Sequence, residues 1–117
     1  MKDKLLIITN IKKTIIRLEK FMENFSRTES TLRDNLKKEA YELLKNAYIA
    51  NTFKEDRSNY QRQMLVNIKM IDFYITNAHQ KKLISYKQYS TMGTHLLDLF
   101  LLTQGWIKSE KTEEPVS

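Results

Sequence analysis

Residues 24–36 read NFSRTESTLRDNL, and on either side of this stretch apolar residues return every three or four positions. Before it, Ile8, Ile11, Ile15, Leu18, Met22 and Phe25 fall on one face of a helix. After it, Leu32, Leu36, Ala40, Leu43, Ala47 and Ala50 repeat the pattern, with Glu39, Glu42 and Lys45 turned away. The period resets between the two runs, so the stretch is a turn between helices. Ser26 with Glu29 matches a capping box, in which reciprocal hydrogen bonds satisfy the orphan amides of a helix start. Ser58 with Gln61 and Ser85 with Gln88 match the same pattern at later resets.

Working outward, Met64, Ile68, Ile71, Ile75 and Ala78 define a third apolar stripe, and Tyr89, Met92, Leu96, Leu99, Thr103 and Trp106 a fourth. Only two glycines and one proline occur, and Pro115 lies near the end, so the interior lacks the punctuation a β protein requires. The spacing predicts an all-α fold of four helices. Short connections make neighbours antiparallel, giving an up-down-up-down bundle with helices of about 20 residues, roughly 30 Å each. A bundle domain over residues 1–110 and a disordered acidic tail over 111–117 are expected.

The 117 residues, 14.0 kDa, suit one domain able to fold without staples. Cysteine is absent, which excludes disulfides, zinc-thiolate sites and thiol nucleophiles. The apolar run from Leu5 to Ile8 is far shorter than a secretory core, and no stretch approaches the roughly 20 apolar residues of a spanning helix. A soluble, cytoplasmic protein without membrane contact is expected.

Catalysis finds little support. His79 and His95 are the only histidines, and neither stands in a Glu-x-x-His or His-Glu-x-x-His run, so no metal or other cofactor is expected. Near the end of the third helix, a cationic His79 would complement the helix dipole. Gly93 and Gly105 are isolated in the fourth helix, where they read as sites of close packing rather than a phosphate loop. Asp72 and Asp98 sit among apolar neighbours and would be the acids of a small helical enzyme if buried. The more frequent role of such residues is a hydrogen bond to a neighbouring helix.

Twenty Lys and Arg against fourteen Asp and Glu give a formal charge of +6 and a pI near 9.5, a balance that favours an anionic partner. Lys12, Lys13, Arg17 and Lys20 lie on the outer face of the first helix. Arg27, Arg33, Lys37 and Lys38 follow the first turn, and Arg57, Arg62 and Lys69 belong to the third helix. Lys81 and Lys82 fall in the third turn, which shares an end with the first in an antiparallel bundle. Arg27, Lys81 and Lys82 would therefore form a cationic cap, diluted on the second helix by Glu29, Asp34 and Glu39. The candidate nucleic-acid contacts are Arg27, Arg33, Arg57, Arg62, Lys69, Lys81 and Lys82. Tyr41, Tyr48, Tyr60, Tyr74, Tyr86 and Tyr89 could stack on bases, although helical spacing places aromatics first in a core or interface.

Between Tyr89 and Ile107 the only formally charged residue is Asp98. Leu97, Phe100, Leu101 and Leu102 widen the apolar arc beyond what three partner helices cover. The fourth helix is thus either central in a monomer or buried against a second subunit. Leu97, Phe100, Leu101 and Trp106 are the candidate residues of an oligomer or partner interface.

Three loose motifs stand in order along the chain: Phe-x-Arg-x-Glu at Phe25, Arg27 and Glu29, Leu-Ile-Ser-x-x-Gln-Tyr from Leu83 to Tyr89, and Gly-Trp-Ile from Gly105. With the apolar first helix, they make residues 5–108 resemble the four-helix-bundle family that includes Avd, the accessory variability determinant of diversity-generating retroelements. Proteins encoded in intervening sequences of bacterial 23S rRNA genes are related. The second helix, KKEAYELLKNAYIAN, lacks the Asn-Ile-Ala-Glu-Gly type of motif of that ribosomal branch, which leaves the Avd-like branch as the better match.

The resemblance implies a non-catalytic accessory protein that forms a barrel-like homo-pentamer with a basic surface. It also implies binding of a reverse transcriptase and of template RNA or its DNA during mutagenic retrohoming. Arg27, Glu29 and Arg33 match the family's first turn, and Gly105 with Trp106 its close. A protein-only helical adaptor, or a four-helix-bundle protein of the 23S rRNA intervening-sequence type, is the alternative reading.

Overall fold

The computed structural model describes residues 2–113, with side chains from Leu5 to Lys111. Four helices make up the fold: α1 (Lys2–Met22), α2 (Ser30–Thr52), α3 (Arg57–Gln80) and α4 (Tyr86–Glu113), with no strand among the described residues. Each helix packs on its neighbour in sequence and α1 closes on α4, while the diagonal pairs do not meet. This is the connectivity of an up-down-up-down bundle. It measures 55 × 22 × 19 Å. Helix α4 continues to Glu113, three residues into the stretch expected as a tail, and residues 114–117 lie outside the described residues.

Every apolar position named for α1, α2 and α3 is buried, as are Met92, Leu96, Leu99 and Trp106 of α4. Tyr89 is half-buried against that core. The stripes converge because a bundle core needs one residue per helix at each level, and spacings of three and four supply it. The most extensive contact joins α2 to α3. Ala40, Ala47 and Ala50 of α2 and Ala78 of α3 are buried there with little bulk, which lets the two backbones approach.

Buried polar groups are few. Thr14 and Thr103 donate to the carbonyls of Asn10 and Leu99 one turn back, both at 2.8 Å, so their hydroxyls enter the core already satisfied. Between α2 and α3 a chain of amides runs outward from the core. Asn46 Nδ2 donates to Asn67 Oδ1 at 2.8 Å, and Asn67 Nδ2 donates to Glu39 Oε2 at 2.9 Å.

The connections depart from the sequence reading. Only the third start is a capping box: Gln88 N–H donates to Ser85 Oγ at 3.1 Å and Ser85 N–H to Gln88 Oε1 at 2.8 Å. A 3-10 turn, Arg27–Glu29, intervenes before α2, and Ser26 Oγ pairs with Thr28 Oγ1 at 2.7 Å instead of capping a helix. A second 3-10 turn, Lys54–Asp56, precedes α3, so Ser58 falls inside the first turn and Asp56 occupies the N-cap. The N-cap of α2 falls three residues later than Ser26 and that of α3 two residues earlier than Ser58, shifts that a pattern of capping residues alone cannot register.

The end of α3 closes without glycine. Leu83 N–H bonds to the Ala78 carbonyl at 2.9 Å and Lys82 N–H to the His79 carbonyl at 3.0 Å, the paired bonds of a Schellman motif. Lys82 holds its left-handed position with φ 63°. A side chain there costs about 1 kcal/mol relative to glycine. Lys82→Gly is therefore expected to raise unfolding stability by about 0.5–1 kcal/mol in urea titration, although it deletes a cation.

Candidate nucleic-acid interface

The cations proposed from sequence fall at both ends of the bundle, with Lys69 between them. At the α1–α2 end, the turn carrying Arg27 meets the α3–α4 connection through Lys81 Nζ and Glu29 Oε2, 3.0 Å apart. The first and third turns do share an end, as antiparallel geometry requires, but an acid stands between their bases. Arg27 and Lys82 are exposed. Arg33 is half-buried and donates from Nη2 to the Phe25 carbonyl at 2.6 Å. Its first role is to cap the chain leaving α1, where helix carbonyls lack partners.

Arg57 occupies the opposite end and is similarly committed. Its Nε donates to the Ala50 carbonyl at 2.7 Å, its Nη1 pairs with Glu110 Oε1 at 3.0 Å, and its guanidinium lies 6.0 Å from the Trp106 ring centre. It clasps the end of α2 to α4, so it is a fastener rather than an open phosphate contact. Arg62 is exposed nearby. Lys69 lies midway along α3 with Nζ 4.6 Å from the Phe100 ring centre, a cation-π contact that half-covers the ring. The seven candidates thus do not form one patch.

A different face groups basic and aromatic residues. Lys12, Lys13, Arg17 and Lys20 are all exposed along α1. Across the groove to α2 are two exposed tyrosines: Tyr48 lies under Lys12, with Nζ 5.7 Å from the ring centre, and Tyr41 donates to Glu19 Oε1 at 2.9 Å. That hydrogen bond to a carboxylate raises the Tyr41 pKa above its ordinary value, because ionisation would remove the donated proton. The sequence showed the α1 cations and named Tyr41 and Tyr48, but not that they lie side by side. Their register, Lys12 with Tyr48 and Glu19 with Tyr41, becomes readable only once α1 and α2 are paired antiparallel. Of the other tyrosines, Tyr86 is exposed, while Tyr60, Tyr74 and Tyr89 are half-buried.

On α4, Leu97 and Leu101 are 56% and 54% exposed, so two of the proposed interface residues are open. Trp106 is not one of them. It is 1% exposed and faces its own core, which corrects the expectation that it lines an interface. Gly93 and Gly105 also depart from expectation, since a Cβ at either would meet nothing within 4 Å. Neither allows a close helix crossing within this chain.

Asp72 and Asp98 are exposed, so neither is the buried acid an active site would use. No group of three or more His, Asp or Glu poised to hold a metal ion occurs among the described residues. His79, in the last turn of α3, stacks on Tyr89 with ring centres 4.5 Å apart, and His95 Nε2 lies 3.2 Å from the Asn10 carbonyl oxygen. Both have structural partners. No helix of the described residues is long and apolar enough to cross a membrane. Comparison with known proteins finds no matching family model, curated protein or solved structure.

Proposed function

We propose that this chain is a non-catalytic nucleic-acid-binding scaffold, and that it serves as the Avd-like accessory protein its sequence resembles. On this reading it associates as a ring, a pentamer by the resemblance, and joins a reverse transcriptase to template RNA or cDNA in the cytoplasm. One observation carries the nucleic-acid part. Among the described residues only two ion pairs form, Arg57 with Glu110 and Lys81 with Glu29, so the fold consumes little of the positive charge. Lys12, Lys13, Arg17 and Lys20 stay exposed on α1, beside tyrosines able to stack on unpaired bases. Such contacts bind phosphates without reading sequence.

The test is the affinity of a labelled structured RNA across a salt series. Each phosphate neutralised adds roughly 0.7–0.9 to the slope of log affinity against log salt. Reversing Lys12, Arg17 and Lys20 to Glu is expected to lower that slope by about 2 or more, with helicity unchanged because all three are exposed. Absence of binding by the unmodified chain at low salt would reject the reading.

The exposed Leu97 and Leu101 favour a second reading, a protein-only adaptor docked through α4. Copurification with and without nuclease separates the two, since a purely protein contact survives digestion.

A further inference from the structure

The connection from α3 to α4 gathers aromatic rings at one end of the bundle. His79 stacks on Tyr89, with ring centres 4.5 Å apart and an interplanar angle of 7°, and both residues are half-buried. Tyr86 stands against this pair, its ring centre 6.0 Å from that of His79 and 6.4 Å from that of Tyr89, its plane inclined at 60° and 54° to theirs. Inclined rings attract edge to face, so the pair braces Tyr86 without covering it. Tyr86 is 71% exposed, more than any other large apolar side chain among the described residues.

The charge around these rings is one-sided. Between Asp72 and Asp98 the chain carries no acid, but it carries Lys81, Lys82 and Lys87. All three lysines are exposed, and the acid that the fold brings to this end, Glu29, is neutralised by Lys81 at 3.0 Å. Lys82 sits at φ 63°, where glycine would fold at lower cost, so a cation stands there against the preference of the backbone. The start of α4 is already closed by the Ser85–Gln88 box, so the rings and lysines, not the helix terminus, form the open surface.

We propose that Tyr86 stacks on an unpaired base of a single-stranded nucleic acid, with Lys82 and Lys87 on its phosphates and the His79–Tyr89 pair holding the ring in place. An open aromatic face beside cations without counterions fits a ligand that is itself both planar and anionic. An apolar side chain of a protein partner would cover the ring but leave the lysines unmatched, and a bare phosphate would leave the ring uncovered. A blunt duplex hides its base faces within the stack, so the ligand is a single strand or an overhanging end. This site rests on the nucleic-acid reading and adds to it a second contact, built from residues distinct from the basic face of α1.

The test is titration of the full chain with a short oligoribonucleotide carrying one fluorescent purine analogue, as a single strand and as a blunt duplex. Binding of the single strand is expected to quench the analogue, and Tyr86→Ala to abolish that quenching. The same substitution should weaken single-strand binding about fivefold or more, the equivalent of one base stacked on an aromatic ring, and leave duplex binding unchanged. Its salt slope should match the original because the ring is uncharged, whereas Lys82→Gly and Lys87→Ala should each lower the slope by about 0.7. These residues are all exposed, so their loss is not expected to unfold the bundle. Tyr86→Phe should bind as the original does, and Tyr86→Leu as the alanine variant does. Full affinity in the leucine variant would reveal plain apolar contact and, like full affinity in Tyr86→Ala, overturns the proposal. Binding that requires Lys12, Arg17 and Lys20 but not Tyr86 overturns this site while the α1 reading stands. Binding that requires Tyr86 but survives reversal of those three charges upholds the site and rejects the α1 face.

Discussion

Trp106→Ala is expected to remove about 3–5 kcal/mol of stability, the largest effect of any single truncation in this chain. The indole is 1% exposed and among the largest side chains wholly inside the core, so its removal leaves a cavity that rigid helices cannot refill. It also strips the platform on which the Arg57 guanidinium rests, 6.0 Å from the ring centre. A domain of this size has about 5–15 kcal/mol in total, so the variant should remain folded but melt on the order of 10–20 °C lower. Trp106→Phe should cost much less. The indole Nε1 has no hydrogen-bond partner, so phenylalanine gives up area but no polar contact. Thermal melts followed by circular dichroism rank the two variants. An alanine variant melting within a few degrees of the original would show that Trp106 is not the keystone its burial indicates.

Asn67→Leu is the second large effect, expected at about 2–3 kcal/mol, and its value lies in what restores it. The substitution strands the Asn46 amide, which is 4% exposed and donates to Asn67 at 2.8 Å. Glu39, half-buried, also loses its donor, but its carboxylate is near enough to the surface to be rehydrated. Replacing both asparagines with leucine removes donor and acceptor together, and the double variant should recover most of the loss. What it should not recover is uniqueness. The Asn46–Asn67 bond holds one register of α2 on α3, and a purely apolar pair accepts several. Urea titration reads the energetic cycle, and the dispersion of amide proton resonances reads the ordering. A double variant as unstable as Asn67→Leu would show that these side chains act separately.

The sequence was legible wherever geometry follows from period. The stripes of α1, α2 and α3 name the buried faces because each stripe is narrow and polar residues border it. Helix α4 was less readable for the opposite reason. With Asp98 its only charge from Tyr89 to Ile107, periodicity cannot separate inward from outward residues, so Trp106 was grouped with Leu97 and Leu101 although it points the other way. Helix ends were harder again. The Ser85 box formed, but the 3-10 turns before α2 and α3 shifted the other two starts, and a Schellman motif built on Lys82 leaves no glycine to notice. The candidate site suffered most, because a cation's availability depends on its partners. Arg33 and Arg57 are spent on backbone carbonyls, and Lys81 on Glu29, contacts that join residues distant in sequence or cap helix ends.

The close α2–α3 pairing also bears on how the chain reaches its structure. These helices are consecutive, joined by one short turn, and are the most closely approaching pair in the bundle. Bringing them together closes a small loop, so little chain entropy is surrendered before contacts begin to compensate. The contact of α1 with α4 spans most of the chain and is the most demanding to establish. Ordering is therefore least costly in the central hairpin, with the first and last helices docking on either side of it. Substitutions in the alanine-lined seam should act on the rate of folding, and those in the α1–α4 seam on the rate at which the finished bundle opens.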